Sequence, residues 1–145
     1  MRVDFYLLGR DGPEQAVPLL ARATRNAGER MLVVARDPAL RDVLSRALWE
    51  HAPQAFLANG KAGEGHEDRQ PILLSDTPDP ANGARYLAIA DGEWRDEALG
   101  FDRVFLLFGE AARDAARGTW RSLGEQDGVE RYFWSQQGGK WEQVG

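Results

Sequence analysis

Residues 31–48, Met-Leu-Val-Val-Ala-Arg-Asp-Pro-Ala-Leu-Arg-Asp-Val-Leu-Ser-Arg-Ala-Leu, combine the two patterns that decide the fold of this chain. The apolar run at residues 31–35 predicts a strand. Asp37 and Pro38 then begin a helix, because Asp caps free backbone N–H groups and Pro suits the first helical turn. Apolar residues recur along it at helical spacing, namely Leu40, Val43, Leu44, Ala47 and Leu48. A strand followed directly by an amphipathic helix indicates a sheet covered by helices.

The same alternation continues on both sides of this unit. Residues 3–8 predict a central strand, and Pro13 begins a helix that runs to about Asn26 and is ended by Gly28. Further strands are predicted at residues 72–74, 86–90 and 104–108, a polar loop at 53–70, a third helix at 110–123 and a hairpin at 129–144. We therefore predict a single α/β domain over residues 1–145. It has three layers: a mostly parallel central sheet, helices on both faces and a C-terminal β-hairpin.

The composition is that of an ordinary globular protein with an acidic balance. Hydrophobic residues make up 43% and charged residues 28% of the 145 residues. The absence of cysteine excludes disulfides, thiolate zinc sites and cysteine nucleophiles. A net charge of −5 argues against duplex DNA binding, which requires a basic surface. The chain has no signal-peptide pattern and no run of about 20 apolar residues, so we expect a cytoplasmic protein without membrane contact.

Two glycine-containing segments resemble phosphate-binding loops, which α/β folds often carry. Residues 9–13 (GRDGP) lack the three glycines of the dinucleotide fingerprint, and Pro13 removes a backbone donor. Residues 60–65 (GKAGEG) lack the Ser or Thr that follows Gly-Lys in a P-loop, and Glu64 would repel a phosphate. A strand-to-helix turn and a flexible surface loop are therefore favoured. A nucleotide-binding or hydrolytic enzyme of the doubly wound class is the alternative.

Catalytic and metal-binding residues do not converge in the sequence. His51 and His66 have no neighbouring ligands at metal-binding spacing, and the serines lie in no nucleophile elbow. We therefore predict no catalytic residues, no metal and no cofactor.

The third predicted helix carries a basic face beside a tryptophan. With Arg113 placed at zero and about 100° per residue, Arg117 falls near 40°, Arg121 near 80° and Trp120 near −20°. The predicted buried stripe consists of Ala112, Ala115, Ala116, Thr119 and Leu123. One interpretation is a solvated basic face. The other is a docking site for an acidic peptide with an apolar end, because arginines bind carboxylates with forked donors and the ring contacts the apolar side chain.

A second apolar cluster consists of Trp49 at the end of the second helix and Phe56 and Leu57 in the loop that follows. Large apolar residues in such a position either cap the core or form an exposed patch for another protein. The sequence leaves both interpretations open, with core capping slightly favoured.

An ordered set of motifs resembles the chi subunit family of the bacterial DNA polymerase III clamp-loader complex. The motifs are DFYLL at 4–8, ALW at 47–49, FL at 56–57, AGEG at 62–65, PILL at 71–74, and the helix with AR at 116–117 and WR at 120–121. The resemblance covers nearly the whole chain. No single motif is highly specific, but the ordered set is.

The resemblance implies a non-catalytic accessory subunit of the DNA polymerase III holoenzyme. Such a subunit binds the C-terminal tail of single-stranded DNA-binding protein and links it to the clamp loader. That tail is acidic and ends in an apolar residue with a free carboxylate. Matched by position, Arg113, Arg117, Trp120 and Arg121 would bind the tail.

Family members also bind the psi subunit, which the resemblance assigns to the region of Trp49, Phe56 and Leu57. This chain has Ala58-Asn59 where family members often have Pro-His. The partner at this surface is therefore either psi or another clamp-loader component.

A further alternative is direct binding of single-stranded DNA by the aromatic C-terminal segment with Arg131 and Lys140. Base stacking requires exposed rings. Because the chain is acidic overall, we do not expect direct nucleic acid binding.

Overall fold

The structure is a computed structural model that describes residues 1–51, 57–137 and 140–145. Its strands are β1 (Arg2–Leu7), β2 (Met31–Val34), β3 (Asn59–Lys61), β4 (Ile72–Ser75), β5 (Tyr86–Ile89), β6 (Arg103–Phe108), β7 (Glu130–Gln137) and β8 (Lys140–Gln143). Its helices are α1 (Pro13–Asn26), α2 (Pro38–Glu50) and α3 (Arg113–Gly124), with short 3₁₀ turns at Glu67–Arg69, Asp96–Gly100 and Glu110–Ala112.

The strands form one sheet in the order β3-β4-β2-β5-β6-β1-β7-β8. All neighbouring pairs are parallel except β7 and β8, which form an antiparallel hairpin. The predicted mostly parallel sheet and the C-terminal hairpin are therefore confirmed. The hairpin also extends the sheet, because β7 pairs with β1 and sets Phe133 beside Phe5.

Two hydrophobic clusters cover opposite faces of the sheet. Helices α1 and α2 contribute Val17 and Leu44 to one cluster, and α3 contributes Ala116 and Leu123 to the other. Burial of apolar surface on both faces stabilises a parallel sheet of this kind. The prediction of three layers is confirmed.

Helix boundaries in this fold follow local chemistry. The side chain of Asp37 accepts a hydrogen bond from the backbone N–H of Ala39 at 2.9 Å, and Pro38 occupies the first position of α2. Gly28 follows α1 with a φ of +77°, a conformation that favours glycine. Both predicted boundaries are confirmed.

The region predicted as a continuous polar loop, residues 53–70, contains an edge strand and a 3₁₀ turn. Strand β3 consists of Asn-Gly-Lys, which carries no apolar signal. Asn59 is buried because its side chain accepts a hydrogen bond from Ser45 Oγ at 2.7 Å and donates one to the carbonyl of Leu57 at 3.1 Å. Side-chain hydrogen bonds and pairing with β4 therefore replace hydrophobic burial at this edge.

The third helix differs from its prediction at two points. It begins with the 3₁₀ turn Glu110–Ala112 before α3 proper starts at Arg113. Ala115 was predicted to be buried and is exposed, so that prediction is wrong. The large side chain of Trp120 packs against the core, and this orients α3 so that the half-buried band lies toward Trp120 and away from Ala115.

A buried carboxylate ties β1 to the strands on either side of it. Asp4 is fully buried and accepts hydrogen bonds from Arg2 Nη2 at 2.9 Å, Arg103 Nε at 3.1 Å and Trp134 Nε1 at 3.0 Å. A buried charge is tolerated when it is paired and hydrogen-bonded in this way. The strands beneath α3 are therefore held together partly by a polar cluster on the opposite face of the sheet.

Candidate functional site

The structure brings three arginines to one outer face of α3, and we call Arg113, Arg117 and Arg121 the arginine ridge. The Arg113 side chain is 41% exposed and the Arg117 side chain is 56% exposed, while Arg121 is also exposed. Residues four apart on a helix are neighbours on its surface, so the three arginines follow one another along this face. This face can donate several forked hydrogen bonds to carboxylates.

Two arginines of the ridge contact acidic side chains of their own segment. Arg113 Nη1 lies 3.1 Å from Glu110 Oε1, and Arg117 Nη1 lies 3.7 Å from Asp114 Oδ1. Exposed pairs of this kind contribute little stability. Carboxylates of a partner can therefore take the place of these acids. Within the described residues Arg121 has no ion-pair partner.

Trp120 lies at the boundary between the ridge and the core. Its ring packs edge-to-face against Phe5, with centroids 5.1 Å apart, and against Phe133, with centroids 6.0 Å apart. The guanidinium of Arg131 lies over the indole, 4.4 Å from the ring centroid. Trp120 therefore anchors α3 on β1 and β7, and only part of its ring is open to a partner.

Arg131 of β7 also contacts α3, and the sequence patterns did not predict this contact. Its Nη1 donates a hydrogen bond to the carbonyl of Trp120 at 2.7 Å. A Cβ at position 124 would lie 2.7 Å from Arg131 Nη1. Glycine at this position therefore leaves room for the guanidinium. Strand periodicity could have predicted this contact. Residues two apart on a strand share a face, so Arg131 lies on the same face of β7 as Phe133, which packs beneath α3.

A groove runs along the other flank of α3, between this helix and the 3₁₀ turn Asp96–Gly100. It is lined by Trp94, Asp96, Leu99, Ala115, Gly118, Thr119, Ser122, Leu123 and Gln126. Trp94 is held in place because its Nε1 donates to Asp96 Oδ1 at 3.2 Å. The α3 wall consists mostly of small side chains, which leaves an open concavity beside the ridge.

Comparison with protein-family models matches residues 1–130 to the DNA polymerase III chi subunit, HolC. This chain belongs to the DNA polymerase III chi subunit family. The match confirms the resemblance, and it identifies the chain as an accessory subunit in DNA replication that works with the polymerase III complex. It includes β1 and the whole of α3, whereas most of the hairpin lies beyond it. A comparison with curated proteins found no similar sequence.

The second predicted surface of this chi-family chain is only partly exposed. Trp49, in the last turn of α2, is 56% exposed. Leu57 is 3% exposed and belongs to the core beneath α1 and α2, so its side chain packs inside the protein. Phe56 lies outside the described residues. Among the described members of the cluster, Trp49 is therefore the one that a partner could contact.

The first glycine segment, residues 9–13, lies at a cleft formed by the carboxyl ends of β1, β5 and β6. In many α/β proteins this is the place where nucleotides bind. Here the backbone N–H of Gly12 already donates to the side chain of Gln15 at 2.7 Å, and the cleft is lined by Asp11, Asp91 and Glu110. Although Arg10 also lines the cleft, the three carboxylates outnumber it and disfavour an anionic ligand.

The second glycine segment, residues 60–65, is occupied by a carboxylate of the chain itself. Glu67 Oε1 accepts hydrogen bonds from the backbone N–H groups of Gly63 and Gly65, both at 3.0 Å. Backbone N–H groups of Glu67, Gly65 and Gly63 lower the pKa of the Glu67 carboxyl, so it stays ionised and bound there. Lys61 is paired with Asp42. The donors that a phosphate would need are therefore in use.

The described part of the chain contains neither a metal-ligand cluster nor a membrane-spanning helix. Across residues 1–51, 57–137 and 140–145, no three His, Asp or Glu side chains lie close enough together to hold a metal ion. His51 lies just after α2, and His66 precedes the turn Glu67–Arg69 with a φ of +62°. In the same described ranges, none of the helices is long and apolar enough to cross a bilayer.

Proposed function

We propose that this chi-family chain is a non-catalytic adaptor that binds the acidic C-terminal tail of single-stranded DNA-binding protein through α3 and links it to the clamp loader. The observation that carries the proposal is the arginine ridge. Three arginines share one outer helix face in a chain whose net charge is −5. A concentrated positive surface on an acidic protein attracts an acidic partner locally while the rest of the molecule repels it.

The chemistry of the ridge suits a peptide carboxylate. Guanidinium groups present fixed forks of N–H donors, and Arg117 and Arg121 lie one helical turn apart on α3. A peptide with several acidic residues can therefore contact adjacent arginines at once. Because these contacts are solvent-exposed, binding weakens as ionic strength rises.

The proposed tail-binding set is Arg113, Arg117, Trp120 and Arg121, the residues matched to the family by position. The arginines supply the charge. Trp120 supplies the exposed part of its indole, and it also holds α3 against β1 and β7 through Phe5 and Phe133. Replacing Trp120 therefore changes folding as well as binding, whereas the arginines are replaceable without loss of core packing.

The proposed contact with psi or another clamp-loader component lies at Trp49. An indole that is 56% exposed at the end of a helix is the kind of large aromatic side chain that anchors protein interfaces. Trp49 lies on α2, on the face of the sheet opposite α3. One chain can therefore contact the tail and the clamp loader at the same time.

The test is a titration of a fluorescently labelled tail peptide with this protein, followed by anisotropy at low and at high salt. We expect saturable binding at low salt that weakens at high salt. Arg117→Ala and Arg121→Ala are expected to weaken binding by about 5-fold each, which corresponds to one exposed charge-assisted hydrogen bond.

The matched control is Arg22→Ala, which removes an exposed arginine from α1 on the opposite face of the sheet. This variant is expected to bind the tail as well as the unmodified protein. Absence of binding at low salt, or equal losses for Arg22→Ala and Arg117→Ala, would contradict the proposal.

A further inference from the structure

The end of β8 and the two residues after it, 143–145, lie beside Trp120, and we call this segment the strap. A Cβ at position 145 would lie 3.8 Å from Cη2 and 3.9 Å from Cζ2 of the Trp120 indole, which is van der Waals distance. Phe133 packs against the same indole, and Arg131 lies over it. The strap therefore narrows further the part of the indole that a partner can reach.

Two hydrogen bonds hold the strap against β7. The backbone N–H of Val144 donates to the carbonyl of Phe133 at 2.8 Å, and the backbone N–H of Phe133 donates to the carbonyl of Gly145 at 3.0 Å. Within the strap, the side chain of Gln143 also donates to the Gly145 carbonyl, at 3.2 Å. Because Phe133 contacts Trp120, these bonds fix the strap to the strand on which the indole rests.

The strap is attached to the domain by few contacts. Gln143, Val144 and Gly145 are all exposed, and Val144 is 59% exposed, so little apolar surface is buried to hold them in place. Solvent-exposed hydrogen bonds with few apolar contacts around them open at a small fraction of the free energy of global unfolding. The strap can therefore leave Trp120 while the domain stays folded.

We propose that the strap is an autoinhibitory element that covers part of Trp120 in the free protein and is displaced when the acidic peptide binds. This inference rests on the proposed function, because Trp120 belongs to the proposed tail-binding set. Peptide binding has to break the bonds between the strap and Phe133, so the apparent affinity falls in proportion to the fraction of molecules whose strap is open. The strap lies beyond residues 1–130, which the family model matches, so the family match assigns it no role.

Hydrogen exchange in the unmodified protein tests the displacement directly. The amide hydrogens of Phe133 and Val144 form the two bonds that displacement breaks, and both are expected to exchange about 5-fold faster when the protein is saturated with tail peptide. The control is the amide of Ala35, which donates to the carbonyl of Ser75 far from α3 along the sheet. Its exchange is expected not to accelerate.

Affinity provides the second test, by anisotropy titration of the labelled tail peptide. A variant that lacks residues 143–145 is expected to bind about 5-fold more tightly than the unmodified protein, which corresponds to a strap that is closed in roughly four of five molecules. The deletion removes no charged side chain, so this ratio is expected to be the same at low and at high salt.

Two single substitutions separate the strap from general effects. Gln143→Ala removes the hydrogen bond within the strap and is expected to tighten binding by about 2-fold. The matched control is Gln15→Ala, which removes a hydrogen bond between a glutamine side chain and the backbone N–H of Gly12 on the opposite face of the sheet. This control is expected to leave the affinity unchanged. Circular dichroism checks that each variant is folded.

The outcomes distinguish this inference from the proposed function. If bound peptide leaves the exchange of Phe133 and Val144 unchanged or slows it, or if the shortened protein binds no more tightly than the unmodified one, the inference is overturned alone. If the shortened protein does not fold, the exchange measurement and Gln143→Ala decide. If no folded form of the protein binds the peptide, the proposed function fails together with the inference.

Discussion

Neutralising the two acids that contact the arginine ridge is expected to tighten its binding to an acidic peptide. Glu110 contacts Arg113 at 3.1 Å, and Asp114 contacts Arg117 at 3.7 Å. Carboxylates of a bound peptide have to replace these acids as partners of the arginines. The displaced acids remain nearby and repel the peptide carboxylates. The substitutions Glu110→Gln and Asp114→Asn remove that competition while preserving side-chain shape.

The size of the effect follows from charge separation. A peptide carboxylate seated on an arginine lies roughly 7 Å from the acid that it replaces, and two like charges at that distance in water repel by about 0.6 kcal/mol. With a Debye length of about 8 Å, roughly half of this survives at physiological salt. Two or three nearby peptide carboxylates then give about 0.7 kcal/mol per substitution, which is about threefold in Kd. Both substitutions together are expected to give about tenfold.

The fold is expected to tolerate both changes. Ion pairs between exposed residues of one helix contribute only about 0.3–0.5 kcal/mol. Glu110 and Asp114 also lie near the N-terminal end of α3, where the helix dipole favours negative charge, so a further small loss of stability accompanies each change. Thermal unfolding of the variants measures this loss, and it is expected to stay well below the loss caused by a core substitution.

The assay is the anisotropy titration with the acidic peptide at physiological salt and at about 1 M salt, where the Debye length falls to about 3 Å and the gain is expected to disappear. Asp79→Asn is the control, because it makes the same change of charge at an exposed position after β4, far from α3 along the sheet. If Asp79→Asn tightens binding equally, net charge alone is responsible. An unchanged or weaker affinity in the double variant would refute the reasoning.

Three further predictions concern stability and the second surface. Asp4→Ala is expected to lower the free energy of unfolding by about 3 kcal/mol, because Arg2 and Arg103 lose their shared buried partner; urea unfolding measures it, and a loss below about 1 kcal/mol would contradict it. Burial, reinforced by Asp4, raises the pKa of Tyr6 to about 12. Stability is therefore expected to hold up to about pH 10, where an unfolded tyrosine ionises, and to fall as pH rises through about 12; a similar loss in Tyr6→Phe would contradict this. Trp49→Ser is expected to leave the free energy of unfolding within about 0.5 kcal/mol of the unmodified protein while abolishing co-purification with the psi subunit, and retained co-purification would argue against this surface.

Features that depend on near neighbours in the chain were predictable from the sequence. The capping of α2 by Asp37, the end of α1 at Gly28 and the antiparallel pairing of β7 with β8 all follow from residues that are close in the sequence. The arginine ridge was also predictable, because the helical period alone places residues 113, 117 and 121 on one face. The family resemblance, which is carried by many motifs, added the expectation that this face binds an acidic peptide tail.

Features that depend on distant contacts required the tertiary structure. Strand β3 has no hydrophobic pattern, because pairing with β4 and the hydrogen bonds of Asn59 stabilise it. Leu57 and Trp49 have similar apolar character and adjoin the same helix end, yet Leu57 is buried and Trp49 is exposed.

The sequence by itself determined the α/β class, the helix and strand periodicities and the row of arginines. Each of these depends on spacing along the chain. Only the tertiary structure decided that Arg131 covers Trp120 and that an open groove borders the other flank of α3. Arg131 reaches Trp120 because β7 pairs with β1 beneath α3, and Trp94 reaches α3 because the turn Asp96–Gly100 packs on the same face of the sheet. Those positions depend on which strands become neighbours, and local patterns do not encode that order.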